Sequence, residues 1–203
     1  MTLGGFLDVS RETMERLERY SELLVKWNPR INLVSKSTID DLWTRHILDS
    51  AQIFEIPKGG IRRWVDLGSG GGFPGLVVAV LVRELEQQFE IMLVESDARK
   101  CAFLSSVARE LDLKVQIKND RIENLNSLDA DIVSARALAD LSSLLDLSER
   151  HLAQGATLLL MKGKKWRSEL ETAQSKWNFD CQIVKSKTSE GSVILCVSGV
   201  CRV

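Results

Sequence analysis

The chain has 203 residues, with 27 Lys and Arg against 28 Asp and Glu for a formal charge of −1, and it is 44% hydrophobic and 27% charged. Such a chain is long enough to bury a sizeable core as one domain, or one domain with an extension, and no window is apolar enough to span a bilayer. Near-neutral charge gives no global pull toward nucleic acid, so any RNA contact has to come from local clusters.

Asp8, Arg11 and Glu12 make the start unlike a signal peptide. The four cysteines (Cys101, Cys181, Cys196, Cys201) include no C-x-x-C pair and there are two histidines, which argues against a zinc site or a disulfide framework. We therefore expect a cytoplasmic protein without metal. Met14, Leu17, Tyr20, Leu24 and Trp27 recur at helical spacing, and Asn28-Pro29 is expected to end that helix. Ser37-x-x-Asp40 resembles a capping box opening a second helix with the stripe Ile39, Trp43, Ile47, Ala51 and Phe54. Pro57, Gly59 and Gly60 mark a joint, so residues 1–57 are expected to form a helical extension and 58–203 the main domain.

Beyond the joint, strands are predicted near 62–67, 90–95, 114–118, 130–134, 156–161, 179–185 and 192–198. Helices fill most gaps, one with the stripe Leu104, Val107, Ala108 and Leu111. Strand–helix alternation predicts an α/β protein with a mostly parallel seven-stranded sheet covered on both faces. Ser186 to Gly191 is too short for a helical crossover, so the last two strands should form an antiparallel hairpin.

The strand ending Trp64-Val65-Asp66-Leu67 runs into five glycines within eight residues, Gly68 to Gly75. Glycines between a strand and a helix N-terminus let backbone approach a ligand closely. A dinucleotide fingerprint G-x-G-x-x-G counted from Gly68 fails at Phe73, and its match at Gly70, Gly72 and Gly75 starts two residues late. The pattern acid-x-Gly-x-Gly-x-Gly fits Asp66, Gly68, Gly70 and Gly72, as in the first motif of S-adenosylmethionine-dependent methyltransferases. Glu95 ends the next strand, where a carboxylate can accept both hydroxyls of a ribose, while Ser96 and Asp97 can cap the following helix. Asn119 to Glu123 follow the third strand, within reach of an adenine edge or as a solvated turn.

Lys162 ends an apolar strand and opens Lys162-Gly163-Lys164-Lys165-Trp166-Arg167, which reads as a phosphate grip or, for its later residues, as a helix start with Trp166 packed inward. His46, Asp49 and Ser50 lie within one turn and lack a nucleophile elbow, so hydrolysis is not expected; pairing of Asp49 with His46 or Arg45 is. Arg136 carries a donor fork for guanine O6 or a methionine carboxylate, or pairs with Asp131 or Asp140.

Trp27-Asn28 with Ile31-Asn32-Leu33, Arg45-His46-Ile47-Leu48-Asp49-Ser50, Asp66 to Gly75, Ser134-Ala135-Arg136-Ala137 and Lys162-Gly163 occur in order. Together they resemble the bacterial 16S ribosomal RNA guanine-N7 methyltransferase family, also known as the glucose-inhibited division protein B family, over nearly the whole chain. The resemblance implies a class I methyltransferase sheet, S-adenosylmethionine as methyl donor, and guanine N7 in 16S ribosomal RNA as acceptor. We expect a monomer that acts on this RNA, free or in a small-subunit particle. It places Gly68, Gly70, Gly72, Phe73, Ile122, Glu123 and Arg136 at the cofactor and Glu95 on its ribose. Arg136, Lys162 and His46 are the candidate catalytic residues, with the resemblance tilting His46 and Asn32 toward shaping the pocket, and Arg45, Arg121, Lys162, Lys164 and Lys165 are the candidate RNA contacts. Guanine N7 already bears an in-plane lone pair, so no general base is needed and catalysis rests on positioning. The chain also lacks the Asp/Asn-Pro-Pro-aromatic motif of adenine-N6 enzymes and a cysteine at the fourth strand end, where pyrimidine-C5 enzymes need a nucleophile. A small-molecule methyltransferase and a nicotinamide-dependent oxidoreductase are the competing readings.

Overall fold

The computed structural model describes residues 1–57, 60–84 and 89–203. The chain opens with a hairpin of β1 (Thr2–Leu3) and β2 (Leu7–Asp8), paired antiparallel. Helix α1 (Arg11–Ile31) starts where the Ser10 side chain accepts the Thr13 N–H, and it buries Leu17, Tyr20 and Leu24 completely. It runs through Pro29 instead of stopping at Asn28. In the last turn a proline removes one hydrogen bond only, and the helix closes at left-handed Asn32, whose N–H reaches the Asn28 carbonyl.

The second helix expected from its apolar stripe takes another form. Lys36–Thr38 make a tight 3-10 turn, Trp43–Leu48 a π-helix, and Asp49–Ala51 (α2) a short α-turn. Ser37 does not open a capping box: its hydroxyl pairs with that of Ser35 at 3.1 Å. The wider π turn still buries Ile47 and Ala51 while re-aiming the neighbouring polar residues, as such turns do at functional sites. Lys58 and Gly59, where the joint between 1–57 and 58–203 was placed, lie outside the described residues, and Gly60 beside them is left-handed.

The main sheet contains β3 (Arg63–Leu67), β4 (Glu90–Glu95), β5 (Val115–Asn119), β6 (Ala130–Arg136), β7 (Leu152–Lys162), β8 (Trp177–Lys185) and β9 (Val193–Arg202). Their order is β5-β4-β3-β6-β7-β9-β8. Within this sheet the antiparallel pairings among the described residues are those of β9 with β7 and with β8, so the expected mostly parallel sheet and final hairpin are both found.

Alternation along each strand divides the core. Trp64, Ile91 and Leu93 face α1, α3 (Gly75–Glu84) and α4 (Ala98–Glu110), whereas Val65, Leu67, Met92 and Val94 face α5 (Leu141–Ser148) and α6 (Trp166–Gln174). The stripe Leu104, Val107, Ala108 and Leu111 is buried as expected. None of the described helices is long and apolar enough to cross a membrane. The order in which strands are added reverses between the parallel neighbours β3 and β6, which opens a crevice at the carboxyl ends of those strands.

Candidate active site

Asp66, near the end of β3, is completely buried and organises the glycine loop. One carboxylate oxygen accepts the Ser134 hydroxyl at 2.7 Å and the other the Gly75 N–H at 3.3 Å, which ties β3 to β6 and to the first turn of α3. Burial pushes its carboxyl up to about 6. At the end of β4, Glu95 accepts the Gly70 N–H and the Asp97 N–H, both at 2.8 Å. Asp97 caps α4, as expected of it, so Glu95 braces the loop while each of its oxygens keeps a lone pair for a ligand.

Gly72 has φ 94° and an added Cβ would lie 2.6 Å from the Tyr20 hydroxyl, which itself donates to the Gly71 carbonyl. Gly68 has φ 65° and an added Cβ would lie 2.6 Å from Leu138. Phe73 is buried between Tyr20 and His46, ring centroids 5.2 and 4.9 Å away, with the Arg136 guanidinium 5.9 Å from its ring. Helix α1 therefore forms the back of the loop.

Two clefts meet here. One, of about 600 Å³, lies over the ends of β3, β4 and β5 and is lined by Gly68 to Gly71, Phe73, Glu95, Arg121 to Glu123, His46 and Leu33 to Ser35. The other, of about 820 Å³, lies toward β7 and β9 and is lined by Arg45, Asp49, Lys162, Lys164 and residues of the β8–β9 loop. Thr38 and Arg136 to Leu138 border both. Gly72 and Lys165 line neither, and Asn32 is exposed at the end of α1.

Arg136 closes β6. Its Nε lies 3.4 Å from Asp49 Oδ2, its Nη2 donates to the Arg45 carbonyl at 2.6 Å, and its buried Nη1 has no partner among the described residues. The partners weighed from sequence are used elsewhere. Asp131 binds Arg62 and the Arg63 N–H, and Asp140 caps α5. Nor does Asp49 pair with His46 or Arg45: Arg45 meets Asp41 at 3.6 Å, and His46 Nε2 shares a 3.0 Å hydrogen bond with Thr38. Burial, helped by Arg136, holds the His46 imidazole down at about 4, so the ring is neutral near pH 7.

Lys162 is buried, donates to the Ala139 carbonyl at 2.8 Å and pairs with Glu169, so it ties α6 to the cleft wall. Trp166 packs inward, leaving Lys164, Lys165 and Arg167 exposed. On the facing side the carbonyls of Ile122 and Glu123 are held by His151 Nε2 at 3.2 Å and Arg150 Nη1 at 2.9 Å. Sequence reasoning missed Tyr20, Arg150 and His151 because each acts on backbone atoms far along the chain, with no local pattern to mark it.

The crevice where the strand order reverses, the left-handed glycine loop under it and the carboxylates at the ends of β3 and β4 are the features of a class I S-adenosylmethionine-dependent methyltransferase. The family profile described as rRNA small subunit methyltransferase G matches residues 13–193. Proteins named ribosomal RNA small subunit methyltransferase G from Ruegeria sp. strain TM1040 and Ruegeria pomeroyi are each 54% identical over 198 residues, covering 97% of this chain and 96% of theirs. One of that name from Paramagnetospirillum magneticum is 50% identical, covering 96% of this chain and 92% of its own. The chain belongs to the rRNA small subunit methyltransferase G family. Solved structures share the fold at low identity. A methyltransferase from Geobacter sulfurreducens superposes with TM-score 0.61 at 16% identity, covering 97% of this chain and 92% of its own. The T. thermophilus 16S rRNA N2 G1207 methyltransferase in complex with AdoMet and guanosine gives 0.55 at 15% identity, covering 74% and 38%.

Proposed function

We propose that the chain transfers the methyl group of S-adenosylmethionine to N7 of a guanine in 16S ribosomal RNA. The observation that carries this reading is the shared wall at Arg136 to Leu138, where a donor cleft and an acceptor cleft open onto each other. The residues suit the donor: Gly68 and Gly70 border the first cleft in left-handed backbone, Glu95 has lone pairs left for ribose hydroxyls, and Arg136 Nη1 is a buried donor in need of an acceptor. When bound, S-adenosylmethionine supplies an electrophilic methyl group on a sulfonium. Phe73, Ile122 and Glu123 would complete its binding surface.

The chain's own task is then orientation. Guanine N7 carries its lone pair without losing a proton, which suits a site whose histidine is neutral and whose cations are held in fixed pairs. Arg136 orients the reactants from the shared wall, His46 and Phe73 pack beneath it, and buried Lys162 shapes the acceptor side. Arg45 and Lys164 on the acceptor rim, with exposed Lys165 and with Arg121 across the donor cleft, meet RNA phosphates. In this reading residues 1–57 are an extension that completes the site of the domain beginning at 58, and a monomer works in the cytoplasm on RNA, free or within a small-subunit particle.

Ribosomal RNA from a strain lacking the protein is expected to gain a labelled methyl group with the wild type and none with Arg136→Ala, circular dichroism showing both folded. Near-normal transfer by Arg136→Ala would overturn the role given to it, and no transfer by either would count against the acceptor.

A further inference from the structure

The loop joining β8 to β9, Ser186 to Ser192, crosses from the far edge of the sheet to the 49–55 segment. Its attachments are specific. Lys187 donates its N–H to Gln52 Oε1 at 2.9 Å and its ammonium to Glu55 at 2.9 Å. Gln52, 3% exposed, donates to Asp49 Oδ1 at 2.7 Å and to the Ser186 hydroxyl at 3.3 Å. Thr188 donates its hydroxyl to the same Asp49 Oδ1 at 2.6 Å, and its N–H is taken by Ser186 Oγ at 3.2 Å. The other Asp49 oxygen faces Arg136 Nε.

Asp49 thus has one oxygen occupied by two donors from its own turn and from the loop, and the second left for a guanidinium on another element. A carboxylate held in this way cannot swing, and an arginine with four rotatable bonds loses its freedom against it. The Arg45 carbonyl holds the fork from the other side, and Nη1 is left over. We propose that Asp49 and Thr188 are positioning residues that set the orientation of the Arg136 guanidinium, so that the β8–β9 loop belongs to the methyl-transfer apparatus and is more than a tether. The proposal rests on the reading of Arg136 as the residue that orients the reactants.

Thr188→Val tests it. The loop stays docked through Lys187, Gln52 and Glu55 while the hydroxyl on Asp49, which also lies 3.1 Å from the Ser186 hydroxyl, is lost. The expected result is a fall in kcat of about 10-fold, with KM for RNA and the affinity for S-adenosylhomocysteine within about twofold of wild type, since a small misplacement acts on the transition state. Thr188→Ser keeps the hydroxyl and is expected to recover most of the rate. Asp49→Asn, which weakens the hold on a buried guanidinium, is expected to lose about 100-fold. In parallel, solvent exchange of the Arg136 Nε–H, read by NMR without any RNA, should quicken in Thr188→Val and return toward wild type in Thr188→Ser. Wild-type kcat with unchanged Nε–H exchange in Thr188→Val overturns the proposal, as does a loss confined to KM, which would make the loop a direct RNA contact. If the wild type itself transfers no methyl to ribosomal RNA, the acceptor reading fails, and the exchange comparison still decides whether the loop positions Arg136.

Discussion

Two buried titrating groups pull the stability of the site in opposite directions with pH. His46 has its folded value lowered from 6.5 to about 4. Its contribution is present above 6.5 and is lost as pH falls toward 4, because the unfolded chain takes up the proton first. Asp66 has its value raised from 3.8 to about 6, so its contribution is full below 3.8 and is lost as pH rises through 6. Urea unfolding at several pH values should therefore show His46→Gln gaining relative to wild type on acidification, and Asp66→Asn gaining relative to wild type as pH rises from 4 to 7. Parallel curves for variant and wild type would remove these assignments. For turnover the same values mean that neither group changes charge between about pH 7 and 8, so kcat should be flat there, without the limb that a catalytic histidine titrating near neutrality produces. Gly72 combines two obstacles to a side chain. Gly72→Ala meets both a left-handed φ and the Tyr20 hydroxyl, and is expected to destabilise the fold by about 3 kcal/mol and to abolish S-adenosylhomocysteine binding by calorimetry. The acid Asp66 and its glycines were legible in the sequence because a loop that turns this tightly after a strand has few other residues to use. The pairing of Asp49 with Arg136 was not, since it joins residues far apart in the chain and the nearer acids Asp131 and Asp140 offered equally good local sense.

Among the elements, the strands of the main sheet were readable to within a few residues at most boundaries because apolar runs such as Ile91 to Val94 and Leu158 to Met161 are buried on both faces, and β7 and β9 run longest beyond their apolar centres. The stretch from Ser35 to Ala51 was not readable. Its stripe satisfies an α-helix, but the backbone turns as 3-10 and π, and in that form His46 meets Thr38 while Asp49 meets Arg136. Helix α1 gives the element-scale test. Its Tyr20 stacks on Phe103, packs tilted against Phe73 and donates to the Gly71 carbonyl, so it supports the glycine loop from an element outside the sheet. Tyr20→Phe keeps the stacking and removes one neutral hydrogen bond, and S-adenosylhomocysteine binding is expected to weaken about 5-fold, the equivalent of about 1 kcal/mol. Unchanged affinity would show that the helix only packs against the loop.

Over the whole molecule, the fold places two clefts on either side of one arginine, with the N-terminal segment and the last hairpin closing the one toward β7 and β9 from opposite ends of the chain. Near-neutral overall charge is compatible with RNA binding because exposed Arg45, Lys164 and Arg121 line the two clefts, with Lys165 exposed beside Lys164. Guanine N7 as the proposed acceptor atom is decided by mapping the product. 16S ribosomal RNA from a strain lacking the protein, treated with the enzyme and S-adenosylmethionine, should become open to chemical cleavage specific for 7-methylguanine at a single guanine. Methylation that leaves the RNA resistant to that cleavage, or no methylation in either free RNA or the small subunit, would contradict it.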